Sequence, residues 1–247
     1  MKNERFSFRE GFMSSIRATR DRQQRIRLLA VIAIGLVLAW QTTIGSLLLY
    51  PLTLLATWFH EMGHGLVALA TGADFDHLQI EADGSGVAHW QTVGEAGRLQ
   101  RALVAASGPL APALAGAALI IASRRPASTR AALFALAAAL LLSTVIWVRS
   151  PVGWLVLPLL GLAIGTLAWR GTAGQQQLGI QVLGVAAGIS AWRQFDYLFS
   201  ADAGAGRLSD TAAIGEALVL PYWVWGAVIS VAITGLLWVS LRIALRR

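Results

Sequence analysis

Cysteine is absent from the 247 residues, which excludes disulfide staples and thiolate metal ligands together and leaves the redox compartment unmarked. Asparagine occurs once, as Asn3. Charge is scarce: Asp, Glu, Lys and Arg make up 13% of the chain, about half the share of an ordinary soluble domain. Acids are the scarcer sign, 13 Asp and Glu against 20 Lys and Arg. The resulting net charge of +7 does not mark a nucleic-acid binder, because much of the excess sits in residues 1–27, "MKNERFSFREGFMSSIRATRDRQQRIR", directly before the first apolar run. That segment reads as an interfacial anchor held on the cytoplasmic side by its arginines. No small-residue cleavage site closes the run that begins at Leu28, so a cleavable signal peptide is not expected.

Apolar residues are abundant, at 56%, with a mean hydropathy of +0.61 and 10 Trp. This is the composition of a membrane protein, whose indole rings favour the water–lipid boundary. Runs suited to spanning lie at 28–49, 51–71, 99–122, 131–148, 152–169, 176–199 and 217–241. The expected fold is an all-α polytopic membrane protein of about six to seven transmembrane helices, with residues 28–247 as one membrane-embedded domain. Seven crossings would place Arg124, Arg125, Arg130, Arg242, Arg246 and Arg247 opposite the basic N-terminus, against the positive-inside tendency, so charge does not set the orientation. One connection is polar. In residues 73–97, "HLQIEA" alternates as a strand does, "DGSG" supplies turn chemistry and "VAHWQT" can return, which predicts a β-hairpin beside the membrane domain. His77 and His89 flank its turn and can face each other, although histidines on a hairpin surface are usually without special role.

The run at 51–71 holds "HEMGH": His60, Glu61, Met62, Gly63 and His64. Ionisable residues sunk in an apolar span are functional candidates by default, since their burial in lipid costs a few kcal/mol or more. On a helix, positions four apart share a face, so the two imidazoles can bind one metal ion. Glu61, beside the first ligand, can act on water at that metal as general base and then return the proton as general acid. The alternative makes both histidines satisfied core residues and Glu61 a paired buried acid; three such groups clustered at mid-span favour a metal site. His60 lies roughly 14 Å into the span at helical rise, near mid-bilayer.

A third ligand must come from elsewhere. A third histidine six residues after the second is excluded, since that position is Ala70. The candidates are Glu81, Asp83, Glu95, Asp196, Asp202, Asp210 and Glu216, with His77 and His89. Asp196 ranks first because "SAWRQFDYLFS" closes an apolar helix, although a pair with Arg193 on the same face is its structural alternative. Asp210 in "RLSDTA" ranks second.

With these residues in view, the chain resembles the M50 group of membrane-embedded zinc metalloproteases, the site-2 protease family, and more closely its compact bacterial M50B-like branch. The resemblance runs over nearly all of 50–240 and takes in "HEMGHGLVALATG", "DGSGVAH", "SGPLAPALAGA" and "FDYLF…LSDTAAIGEALVLPYWVWG". It implies one zinc ion held by His60, His64 and a distant aspartate, for which Asp196 is the first match, with Glu61 activating water. It further implies cleavage of a membrane-protein substrate in or beside its transmembrane segment, in a multi-pass protein of a bacterial plasma membrane. The chain departs from better-studied members in lacking an Asn-Pro element and in reading Asp196-Tyr197 where they have Asp-Gly. Two other readings stand beside this one: a proteolytically silent zinc-binding scaffold or chaperone, against which the intact Glu61 argues, and a transporter, against which stands the concentration of polar residues on one helix.

Overall fold

A computed structural model describes residues 23–204 and 206–245. Most of the basic segment 1–27 lies outside the described residues, as do Arg246 and Arg247. Helix α1 (Gln23–Trp40) leads through α2 (Thr43–Leu48) into α3 (Tyr50–Ala70). A hairpin of β1 (Asp74–Ile80) and β2 (Gly86–Gln91) follows, then α4 (Arg98–Ala122), α5 (Pro126–Ile146), α6 (Pro151–Arg170) and α7 (Ala173–Arg193). The short α8 (Phe195–Leu198), the strand pair β3 (Asp202–Gly204) and β4 (Arg207–Leu208), α9 (Asp210–Leu218) and α10 (Tyr222–Ala244) complete the described chain. Proline opens the first turn of α3, α5 and α6, where its missing N–H costs nothing and its φ suits a helix.

Among the described residues five helices, α1, α4, α5, α6 and α10, are long and apolar enough to cross a membrane. The expected runs at 51–71 and 176–199 also become long helices, α3 and α7, but they are less apolar. Helix α3 carries His60, Glu61 and His64, and α7 carries Gln175, Gln176, Gln177 and Gln181. Both are packed by other helices, and α3 also by the hairpin; a helix enclosed by protein can hold polar groups that a lipid-facing one cannot. The fold is thus a polytopic helical membrane bundle with a small β-hairpin after the helix carrying HEMGH. Boundaries differ from expectation: the run 28–49 is broken between α1 and α2, α10 opens at Tyr222 rather than at 217, and the run 176–199 does not continue as a single helix, since α7 ends at Arg193 and the chain turns through α8.

The hairpin is antiparallel, pairing Leu78 with Ala88, Gln79 with Val87 and Ile80 with Gly86. It is pinned to α3, whose Thr57 hydroxyl donates to the Gly84 carbonyl at 2.6 Å while Tyr50 Oη donates to Ala82 O at 2.8 Å. Gly65 on α3 leaves the space filled by the Phe75 ring of β1. The outer edge of β1 is taken: Leu78 N–H donates to Trp147 O and Leu78 O accepts from Arg149 N–H, both at 2.9 Å. Because both polar groups of Leu78 point away from β2, Leu78–Ala88 is a non-hydrogen-bonded pair, and so, two residues on, is Ile80–Gly86. Consistently, Ile80 N–H donates outward to Ser150 Oγ at 2.9 Å. The main-chain groups of Gly86 and Ala88 therefore point to the outer edge of β2, and both residues line a cleft.

Candidate metal centre

His60 and His64 stand one turn apart on α3, with ring centroids 4.8 Å apart and planes at 74°. Helix α4 crosses that face closely. Gly63 brings α3 against Ser107 and Ala111, and a Cβ on it would lie 2.6 Å from Ser107 O. A Cβ on Gly108 would lie 2.7 Å from His60 Nε2 and closer still to His64 Nε2, so this glycine makes room for both rings. The next residue, Pro109, and then Pro112 lack the N–H that would bond the carbonyls of Ala105 and Gly108 within α4. The Val104 carbonyl is 2.7 Å from His64 Nδ1. A carbonyl only accepts, so Nδ1 carries the proton and the neutral ring presents Nε2 as a bare lone pair.

The carboxylate that meets these rings is Asp210, not Asp196. Asp210 Oδ2 is 3.0 Å from His60 Nε2, and Asp210 Oδ1 is 3.3 Å from His64 Nε2. The first turn of α9 sets it there. The buried Ser209 hydroxyl accepts from Ala212 N–H, and the Asp210 N–H donates to the Tyr197 hydroxyl at 3.1 Å. An acid in that turn also sits favourably against the positive end of the helix. Asp196, one helix earlier, is exposed on α8. Its expected place depended on an apolar helix running to 199, and the break after Arg193 removes that support. Arg193 lies over the Trp40 ring, 4.6 Å from its centroid, rather than in an ion pair with Asp196.

His60, His64 and Asp210 are the one group of three or more candidate donors close enough to hold a metal ion among the described residues. Two observations fit them to a divalent cation. The His64 Nε2 lone pair and Asp210 Oδ1 are both acceptors, and two acceptors at 3.3 Å call for a cation between them. Asp210 Oδ2 is buried and receives no well-formed hydrogen bond despite its nearness to His60. The spacing agrees, since ligands about 2.0–2.1 Å from a tetrahedral zinc ion lie about 3.3 Å apart.

Glu61 is 5% exposed and packs on the hairpin: a Cβ on Gly86 would lie 2.9 Å from its Oε1, and the Ala88 amide turns toward its carboxylate. Glu61, both histidines and Asp210 line a cleft of about 640 Å³ whose opposite wall is β2. The other third-ligand candidates lie elsewhere, apart from Glu216 at the cleft. Asp83 and Asp202 accept hydrogen bonds within their own turns, while His77 contacts Asp76 and stacks on His89 at 4.2 Å. Sequence reasoning passed over Gly108, Gln194 and Tyr197. Only Gly108 leaves a readable trace, a Gly-Pro step inside an apolar helix.

No curated protein and no solved structure matches the chain. A family model described as Peptidase M50B-like matches residues 28–240, a span that contains the HEMGH helix, the hairpin, α4 and the turn bearing Asp210. By that match, over most of its length, the chain belongs to the Peptidase M50B-like family.

Proposed function

We propose that this chain is an intramembrane zinc metalloprotease, a multi-pass protein of a cell membrane, which hydrolyses a peptide bond in or beside the transmembrane segment of a membrane-protein substrate. The position of Glu61 carries the reading. It is a buried carboxylate in the same cleft as His60, His64 and Asp210, yet it stands outside their three-donor cluster. In this reading the two Nε2 atoms and Asp210 hold one zinc ion, and three protein donors leave a fourth position open, as in catalytic sites. Bound there, zinc would supply Lewis acidity, polarising a substrate carbonyl and lowering the pKa of water towards neutrality. Glu61 takes the proton of the attacking water and delivers it to the departing amine, so a C–O bond forms, the C–N bond breaks and the carboxylate is regenerated. A silent scaffold would have no use for that carboxylate.

Partners behind the ligands fix their rings. Val104 O serves His64. For His60 the corresponding group is Gln194: its Oε1 and His60 Nδ1 are both buried without another partner, and the two side chains lie together. A transmembrane substrate hides its carbonyls in helical hydrogen bonds and must unwind before attack. The outward N–H and C=O of Gly86 and the outward C=O of Ala88 can receive the extended segment by strand addition, directly over Glu61, toward which the Ala88 N–H turns.

The test compares wild type with Glu61→Gln after purification in detergent, by elemental analysis and on a panel of single-span substrates. Both forms should hold one zinc ion per chain, and the variant should lose cleavage by about 10²–10⁴-fold. A wild type that holds zinc and cuts nothing would return the silent scaffold. Absence of stoichiometric metal would remove the proposal altogether.

A further inference from the structure

The same cleft has a second chemical character, in the arginines around its mouth. Arg101 of α4, Arg193 at the end of α7 and Arg207 of β4 all line it, and all three are exposed. Among the described residues neither Arg101 nor Arg207 makes an ion pair or side-chain hydrogen bond, and Arg193 lies over the face of Trp40. Arg101 is also placed against its own helix. It lies within the first turn of α4, where the backbone dipole favours acids, and α4 has no acid there. Against these three guanidinium groups stand Glu216 at the rim and, deeper, Glu61 and Asp210, whose charges a bound dication would offset. The mouth is then left with an excess of cationic charge, contributed by three elements that converge only in the folded chain.

Resting on the proteolytic reading above, we infer that the substrate is acidic beside the cut: Asp or Glu residues flanking the scissile bond are drawn to Arg101, Arg193 and Arg207. Exposed pairs of this kind are individually weak, so the set should favour an acidic flank over a neutral one by about tenfold at low salt. The preference should fade as ionic strength rises and screens it.

The test uses one single-span substrate carrying Asp-Asp, Asn-Asn or Lys-Lys flanks. Binding of the fluorescein-labelled forms to the zinc-loaded Glu61→Gln protein is followed by anisotropy in neutral detergent, and kcat/KM is measured with the wild type. The expected order is Asp-Asp, then Asn-Asn, then Lys-Lys. Arg101→Gln with Arg207→Gln should bring the ratios towards one. Arg101→Glu with Arg207→Glu should invert them in favour of Lys-Lys, a gain that a misfolded variant cannot produce. Equal binding of the three flanks, or ratios that the arginine variants leave unchanged, would overturn the inference. So would arginine effects that appear only in anionic-lipid nanodiscs and equally for every flank, which would assign these side chains to lipid headgroups. Since binding is read without cutting, an acidic preference in a protein that cleaves nothing would sink the proteolytic reading and leave the charge selection standing.

Discussion

Gly108→Ala offers the sharpest test of the metal centre, because it touches no donor atom. The added Cβ would stand 2.7 Å from His60 Nε2 and closer to His64 Nε2, where ordinary contact needs about 3.5 Å. One ring or the α4 backbone must therefore move by about 0.8 Å or more, roughly four times the ~0.2 Å tolerance of a metal–ligand distance. His64 cannot yield without leaving its 2.7 Å hydrogen bond to Val104 O, and that bond is itself on α4. At least one donor should be lost, lowering zinc affinity by about 100-fold or more, beyond the effect expected of altering an outer-shell partner. Gly116→Ala is the control. It lies on the same helix and would meet Gly184 O at 2.7 Å, so it strains the α4–α7 contact without touching the histidines. Affinity is read by chelator competition on purified protein, and folding by the Tm of the metal-free form. The reasoning fails if Gly108→Ala binds zinc as the wild type does, or if Gly116→Ala loses affinity to the same degree.

Further outcomes follow from the same geometry. Asp210→Asn should cut zinc affinity by about 100-fold or more while Asp196→Asn leaves it unchanged, as elemental analysis after dialysis would report; the reverse pattern would restore Asp196. Gln194→Ala should weaken zinc binding about tenfold, with Gln194→Glu restoring it, through the second nitrogen of His60. Ala88→Pro removes no ladder bond but takes away the amide that turns toward Glu61, so the hairpin and the metal should survive while cleavage falls. Full turnover in that variant would show that the Glu61 carboxylate does not depend on this amide. The His77–His89 pair predicts a pH response. Partial burial, then His77 and Arg207, hold the His89 imidazole below its usual pKa, with Asp76 opposing. The unfolded hairpin thus binds the proton better, and its stability is full above the ordinary histidine value and declines as pH falls below it. Amide exchange in β1 and β2, corrected for intrinsic rates, should be faster at pH 5.5 than at 7.5.

The HEMGH helix was legible in the sequence because its chemistry is local. Two imidazoles four residues apart share a helical face whatever surrounds them, and an acid beside the first needs no tertiary contact to be near both. The hairpin was legible for the same reason, in strand alternation on either side of "DGSG". The membrane class followed from composition, and the polar residues that make α3 and α7 less apolar were visible as well. Where α7 stops was not visible. "SAWRQFDYLFS" reads apolar through to residue 199, and nothing in it signals the break after Arg193.

That break decided the third donor. Asp196 and Asp210 are both acids near the end of the chain, and both are plausible by spacing alone. Which one reaches His60 and His64 depends on the turn through α8 and the β3–β4 pair, and on Ser209 capping α9 while Tyr197 receives the Asp210 amide. The tertiary structure alone likewise brought Gly108 under the rings, turned the free edge of β2 over Glu61 and gathered three arginines from α4, α7 and β4. Periodicity can set residues on a face of one helix, but meetings across elements are fixed by packing.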